Sequence, residues 1–232
     1  MPRIIEPPLE KSNTEGQRGK GRTFALALAL LVLLALAFSI DGFVDRWVAE
    51  NQVAAWHRAA QWCSRFFAWH WLIGYALLGL AIAWLRGRRD VARLLCAMMI
   101  AASLAGLAAD VIRGLSGRTR PYYKEVPQGF YGVHDGSRWL ITKHAFNSFP
   151  SGHTSAMTGF AIPLLFWRRS FILLVAPLIA AVAAARVYLG SHHLSDVVAA
   201  AILSSLIAGW VWRQAASGEW QWRGWRLRRL RR

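Results

Sequence analysis

The sequence predicts an all-α integral membrane bundle of six spans, with an interfacial helix and a long loop on its outer face. Three observations carry that expectation. Of 232 residues, 55% are apolar and 13 are tryptophan, and the mean hydropathy is +0.28, a composition outside that of ordinary soluble domains. Apolar runs of the roughly 17–25 residues that cross a bilayer recur along the chain. The cations, finally, sit at alternating ends of those runs, as membranes impose.

The runs are Phe24 to Ile40, Phe66 to Leu85, Val91 to Ile112, His153 to Trp167, Phe171 to Leu189 and Leu194 to Trp212. The fourth is short and borrows its first turn from Pro150, Ser151 and Gly152. Residues 1–22 are expected to be a disordered cytoplasmic tail, 23–213 the six-span domain, and 214–232 a basic, Trp-rich cytoplasmic tail. The first run is longer than a signal-peptide core and follows a polar head, so it is expected to be a retained span. In the last segment Trp220, Trp222, Trp225, Leu227 and Leu230 interleave with arginines, which suits a helix lying on anionic lipid. Between the first two runs, Val44, Val48, Ala55, Ala59 and Cys63 recur at helical spacing, with Glu50, His57, Gln61 and Arg65 on another face. This predicts one amphipathic helix along the outer interface, with His57 as a polar-face residue. No repeat of fixed period is present.

A net charge of +16 could indicate nucleic-acid binding, but position argues for a membrane instead. Most of the 28 Lys and Arg flank the first run, the turn between the second and third, the turn between the fourth and fifth, and the end of the sixth. All fall on one side of a six-span protein, so both termini are expected in the cytoplasm. No nucleic-acid partner is expected. Six further cations between Arg113 and Lys143, together with Arg186, lie on the outer side against the rule. Cations concentrated there imply an anion to hold. Cys63 and Cys96 are too differently placed to suggest a disulfide. The stretch from Arg113 to Pro150 is long, but Tyr122, Tyr123, Phe130, Tyr131 and Trp139 argue that it is ordered.

Chemistry concentrates at three places. "SFPSGHTSAM", Ser148 to Met157, juxtaposes Ser151 and His153, yet it lacks the G-x-S-x-G elbow and parallel sheet of an α/β serine hydrolase. Pro-Ser-Gly before an apolar run instead starts a helix, and a helix start is also an anion site. "ARVYLGSHHLSD" places His192 four residues before Asp196, so the carboxylate could orient the imidazole from the same helix face. His193, three residues before Asp196, also stays open on geometry alone. "GRTRPYY" supplies Arg120, Arg113 ends the third run, and Arg186 ends the fifth. Arginines, histidines, a carboxylate and a helix N terminus at one membrane surface form the inventory that holds and attacks a phosphoryl group. A zinc site competes for His and Asp, but neighbouring arginines would repel a metal and no Cys contributes.

Arg113 followed after six residues by Arg120-Pro121, then Pro150-Ser151-Gly152-His153, then Arg186, five residues, His192, three residues, Asp196 resemble the three-part signature of the type 2 phosphatidic acid phosphatases, the PAP2 superfamily. Two departures are Arg113, where the family usually has Lys, and Ala185 before Arg186, where it usually has Ser. The resemblance implies a lipid phosphatase. His192 would be the nucleophile that forms a phosphohistidine, favoured over His193 by its spacing from Arg186, and Asp196 would hold it. His153 would act as acid and then base, while Arg113, Arg120, Arg186, Ser151 and Gly152 would bind phosphate. No metal or other cofactor is implied. The expected partners are a lipid phosphate substrate and membrane lipids, at the periplasmic face of a bacterial inner membrane. Oligomeric state is not legible. The alternatives are a lipid phosphotransferase using the same intermediate and a non-catalytic lipid-binding or transport relative.

Overall fold

The computed structural model describes residues 12–141 and 143–217. Among these residues seven α-helices follow one another: α1 (Ser12–Glu50), α2 (Ala54–Phe66), α3 (Trp69–Leu85), α4 (Arg89–Ser116), α5 (Gly152–Trp167), α6 (Ile172–Tyr188) and α7 (Leu194–Ala216). Single 310 turns occur at His144–Phe146 and Arg169–Phe171. Among the described residues there is no strand, only isolated bridges between Arg118 and Phe130 and between His134 and Trp139 in the long loop.

The helix α5 lies at the centre, packed on α4, α6 and α7, while α3 covers α4, α1 leans on α7, and α2 lies on α6. Small residues allow this closeness. Ala97, Ala101, Ala102, Ala105 and Ala109 on α4 are fully buried. A Cβ at Gly159 of α5 would sit 2.7 Å from the Ala101 carbonyl oxygen and 2.9 Å from the Ala105 Cβ. In lipid, where apolar side chains gain little by leaving solvent, such backbone approach supplies the packing energy. Outward residues such as Leu31, Leu85, Leu107 and Leu173 are large, apolar and exposed, as a lipid-facing surface requires.

Two expectations change, and the six-span count is not reached by length and composition alone. Among the described residues, four helical segments are long and apolar enough to cross a membrane, at Thr23–Glu50, Arg89–Ser116, Arg169–Tyr188 and Leu194–Ala216, and the pair α2 and α3, bent by 52°, raises the number to at most five. The runs in α3 and α5 are 17 and 16 residues long. By length and composition they fall short of the simple six-span count.

The amphipathic helix expected from Val44 onward is two elements. Val44 and Val48 complete α1, where Val48 is buried with Val187 and Val197, and a break at residues 51–53 precedes α2. Helical spacing persists across the break, so periodicity alone merges them. The Tyr188 hydroxyl fixes the break, accepting from the Val53 amide at 2.7 Å and donating to the Asn51 carbonyl at 3.1 Å.

The helix α1 begins at Ser12, so residues 12–22 continue the first helix rather than forming a tail. The expected disorder of residues 1–11 lies outside the described residues. At the other end α7 continues to Ala216, past the expected boundary, and the Trp-rich segment from residue 218 is also outside them.

Candidate active site

The ends of α4, α5, α6 and α7 that carry the three motifs meet at one end of the bundle, closed over by the loop 117–151. Gly117 begins that loop with φ +57°, and a Cβ there would fall 1.9 Å from the Gly132 carbonyl oxygen. Only glycine suits both the left-handed backbone and the contact. The Gly132 and Tyr131 amides donate back to Ser116 and Gly117 carbonyls, which seals the loop to α4.

Arg120 is buried in this loop. Its Nε donates to the His144 carbonyl at 2.9 Å, Nη2 to the Asn147 carbonyl at 3.0 Å and Nη1 to the Ser191 carbonyl at 3.3 Å. Three of its five N–H groups therefore stitch loop to loop, and two remain for an anion. Burial, the main cause, lowers its pKa. Beside it the Tyr122 hydroxyl meets His144 Nδ1 at 2.9 Å. Burial, followed by the charges of Arg120, Arg186 and Arg113, holds His144 below the ordinary imidazole pKa.

Arg113, in the last turn of α4, pairs with Asp110. Its guanidinium also lies against the start of α5, so that a Cβ at Gly152 would stand 2.8 Å from Arg113 Nη1. Arg186, in the last turn of α6, donates to Ser64 Oγ of α2 at 3.3 Å. Among the described residues, the buried side-chain atoms without a hydrogen-bond partner include Arg113 Nε, Arg186 Nε and His192 Nε2. Buried donors are costly when unpaired, and the two arginine Nε groups near one helix start fit an anionic ligand.

No side chain caps α5, so its first-turn amides, at Gly152 and His153, are of the kind a helix leaves unsatisfied. Ser151 is fully buried; its amide donates to the Asp196 carbonyl at 3.2 Å and its Oγ accepts from Thr154 at 3.1 Å. Ser151 thus joins α5 to α7 through its amide, next to the Gly152 and His153 amides of the first turn. His153 lines a cavity of about 530 Å³ together with Trp69, Asp110, Arg113 and Gly152. It is close enough to His192, Arg186, Arg113 and Arg120 for their charges to interact.

His192 sits in the turn before α7, 1% exposed. Its Nδ1 lies 2.8 Å from the Ser148 carbonyl, whereas Asp196 Oδ2 is 3.5 Å away. The expected direct hydrogen bond from imidazole to carboxylate is therefore replaced by one to a backbone carbonyl. Asp196 acts at one remove, because its Oδ2 accepts from Ser148 Oγ at 2.5 Å and from the His193 amide at 2.8 Å. The second bond is half of a capping box at the start of α7, and it draws the carboxylate away from the ring. An Nδ1–H donated to a carbonyl fixes the tautomer and leaves Nε2 with its lone pair. Burial drives the His192 pKa down to about 4, with Arg120 and Arg186 adding to the effect and Asp196 opposing it.

His193 has a different environment. Its Nδ1 lies 2.6 Å from Asp45 Oδ2 on α1 and its Nε2 lies 3.0 Å from the Thr119 carbonyl. Both ring nitrogens are occupied, so neither is free to attack.

Sequence reasoning missed Arg118, Asp41, Asp45, Ser148, Ser195 and His144. Arg118, 6% exposed, extends Nη1 to Asp196 Oδ1 and Ser195 Oγ, both at 2.6 Å, and Nη2 to Asp41 Oδ2 at 2.7 Å. Phe38 and Phe130 at 4.9 Å and Phe149 at 5.9 Å surround its guanidinium carbon. A carboxylate at position 41 of an otherwise apolar run was the available signal, since such a group needs a partner.

A helical membrane bundle that gathers arginines and histidines about a helix start defines the class. The chain belongs to the PAP2 superfamily, whose family model matches residues 91–219. It is 28% identical over 159 residues to Lipid phosphate phosphatase 1 of Arabidopsis thaliana, covering 59% of this chain and 49% of that one. The chain thus spans about half the length of that relative. Its fold is similar to the crystal structure of the first transmembrane PAP2 type phosphatidylglycerolphosphate phosphatase from Bacillus subtilis, with TM-score 0.59 and 18% identity over 90% of this chain and 98% of that chain.

Proposed function

We propose that this protein is a membrane phosphatase that hydrolyses the phosphate monoester or diphosphate of a lipid through a phosphohistidine on His192. The observation that carries the proposal is His192 itself: Nδ1 is held by the Ser148 carbonyl while Nε2 is buried without a partner.

The Nε2 lone pair attacks phosphorus and the bond from phosphorus to the lipid oxygen breaks, with His153 giving its proton to that oxygen. Neutral His153 then takes a proton from water, which attacks phosphorus. The bond to Nε2 breaks, inorganic phosphate leaves, and both histidines regain their starting forms. Arg113, Arg120 and Arg186, with the amides at the start of α5 and Ser151 beneath them, hold the phosphoryl oxygens and their developing charge. Because three guanidiniums supply the positive field, no metal is required.

Family membership, a named lipid phosphate phosphatase among the relatives and a cavity bounded by Trp69, His153 and Arg113 favour a lipid phosphate as substrate. Phosphatidic acid, phosphatidylglycerol phosphate, polyprenyl diphosphate and lipid A all satisfy that chemistry. The distribution of cations supports six crossings in which α3 and α5 are short spans, and α2 as the interfacial element. It also supports termini in the cytoplasm and a site facing the periplasm of a bacterial inner membrane.

The test is phosphate release from a panel of lipid phosphates by the purified protein in the presence of chelator, for wild type and for His192→Ala. Release by the wild type that is abolished in the variant supports the proposal. Activity retained by the variant, or lost with chelator, overturns it. Phosphate transferred to an added acceptor lipid rather than to water would identify a transferase.

A further inference from the structure

The residues matched by the family model begin at 91, so α1 lies outside them, yet α1 sends two carboxylates into the polar end of the bundle. Asp41 is 6% exposed. Its Oδ1 accepts from the Ser195 amide at 2.9 Å, and its Oδ2 accepts from Ser195 Oγ at 2.5 Å and from Arg118 Nη2 at 2.7 Å. The other terminal nitrogen of the same guanidinium holds Asp196 Oδ1. Four residues along α1, Asp45 holds His193. The apolar part of this helix is little embedded, since 6% of its most apolar window is buried. Beside the packing of Val48 on Val187 and Val197, the carboxylates tie it to the groups that orient His192.

We propose that α1 is a working part of the catalytic apparatus: Asp41, acting through Arg118, sets the position and effective charge of the Asp196 carboxylate and thereby the reactivity of His192. The inference rests on the phosphatase reading above. Asp41 touches neither substrate nor His192 and is a positioning residue. One cation is shared between two carboxylates, so Asp196 keeps enough negative character to grip Ser148 Oγ, whose residue supplies the carbonyl that fixes the imidazole. With Asp41 neutral, Arg118 is left to Asp196 alone, the carboxylate is drawn toward the guanidinium, and the ring loses its hold.

The sign of the effect distinguishes this role from packing. His192 and Asp196 are faced by Asp41 and Asp45 from α1, Arg113 from α4 and Arg118 and Arg120 from the loop. From the remaining elements come His153 on α5, Arg186 on α6 and His193. Asp41→Asn removes one negative charge from this set, disfavours the imidazolium and moves the titration midpoint of His192 down. Arg118→Gln removes one positive charge and moves it up. A unit charge acting over roughly 10 Å at an effective dielectric near 20 displaces such a midpoint by about one pH unit.

The experiment uses the full chain in nanodiscs with isotopically labelled histidine, following the His192 ring by NMR through a pH titration, alongside kcat and KM on whichever lipid phosphate the wild type hydrolyses. Expected for Asp41→Asn are a kcat lowered about a hundredfold, a KM within about twofold of wild type, and a lowered midpoint; for Arg118→Gln, a raised midpoint. Midpoints that coincide with wild type, or that shift in the same direction in both variants, overturn the proposal. So does a kcat that falls only in step with the folded fraction. Should Arg118→Gln fail to fold, the sign of the isosteric Asp41→Asn variant decides. If the wild type releases no phosphate from any lipid, the phosphatase reading fails, and the NMR midpoints alone still decide whether Asp41 acts on His192.

Discussion

His193 Nδ1 and Asp45 Oδ2 are joined at 2.6 Å across α7 and α1, while the neighbouring His192 leaves its Nε2 unpartnered. Two adjacent histidines thus have opposite fates. His192→Gln is expected to abolish phosphate release and the trapping of labelled phosphate on the protein. His193→Gln keeps one side-chain hydrogen bond and is expected to trap phosphate still, with a lowered thermal midpoint as α1 loosens. Radiolabel retained after rapid quenching and thermal unfolding in detergent measure the two effects.

Gly152 tests the phosphate cradle. A methyl group there meets Arg113 Nη1 at 2.8 Å, and the far end of a flexible side chain yields more cheaply than backbone does. Gly152→Ala should fold normally, displace Arg113 and weaken phosphate binding. KM is expected to rise about tenfold, roughly 1.4 kcal/mol, as read from inhibition by inorganic phosphate together with substrate kinetics.

Gly159 makes the opposite case, because its nearest neighbours are the Ala101 carbonyl and the Ala105 Cβ, which belong to the α4 framework. Gly159→Val must push α4 and α5 apart. A destabilisation of about 1–3 kcal/mol is expected from such overpacking, visible as a lower unfolding midpoint in detergent.

The depressed pKa of His192 has a pH consequence whose direction is fixed. The free imidazole value is 6.5 and the folded value about 4, so between these limits the unfolded chain binds more protons than the folded one. Stability contributed by this group therefore rises with pH from about 4 to 6.5, is complete above 6.5, and is lost as pH falls through that window. On the kinetic side, the acid limb of kcat/KM that belongs to the nucleophile should lie well below 6.5. Rate profiles on the free enzyme and unfolding midpoints between pH 4 and 7 check both.

Much of this was legible from residues alone. The apolar runs delivered the helices, because a span cannot be polar, and internally spaced motifs delivered Arg113, Arg120, His153, Arg186, His192 and Asp196 to one end of the bundle. Contacts made through the backbone were not legible. Nothing in the spacing of His192 and Asp196 could reveal that the Ser148 carbonyl, 44 residues away, takes the Nδ1 position, nor that Ser151 spends its amide on α7. Periodicity also failed at residues 51–53, where a helical pattern runs through a break fixed by the distant Tyr188. Asp41 and Arg118 were visible as charges but not as a pair, since 77 residues separate them.

That separation has a consequence for how the molecule is made. A ribosome delivers α1 first, so the Asp41 carboxylate enters the membrane region 77 residues ahead of Arg118 and 154 ahead of Ser195. Until the loop after α4 arrives the acid has no cation, and until α7 arrives it lacks the Ser195 amide and hydroxyl. Capture of the Ser195 amide and hydroxyl by Asp41 is therefore a late event in biogenesis, and it reports that α1 and α7 have found one another.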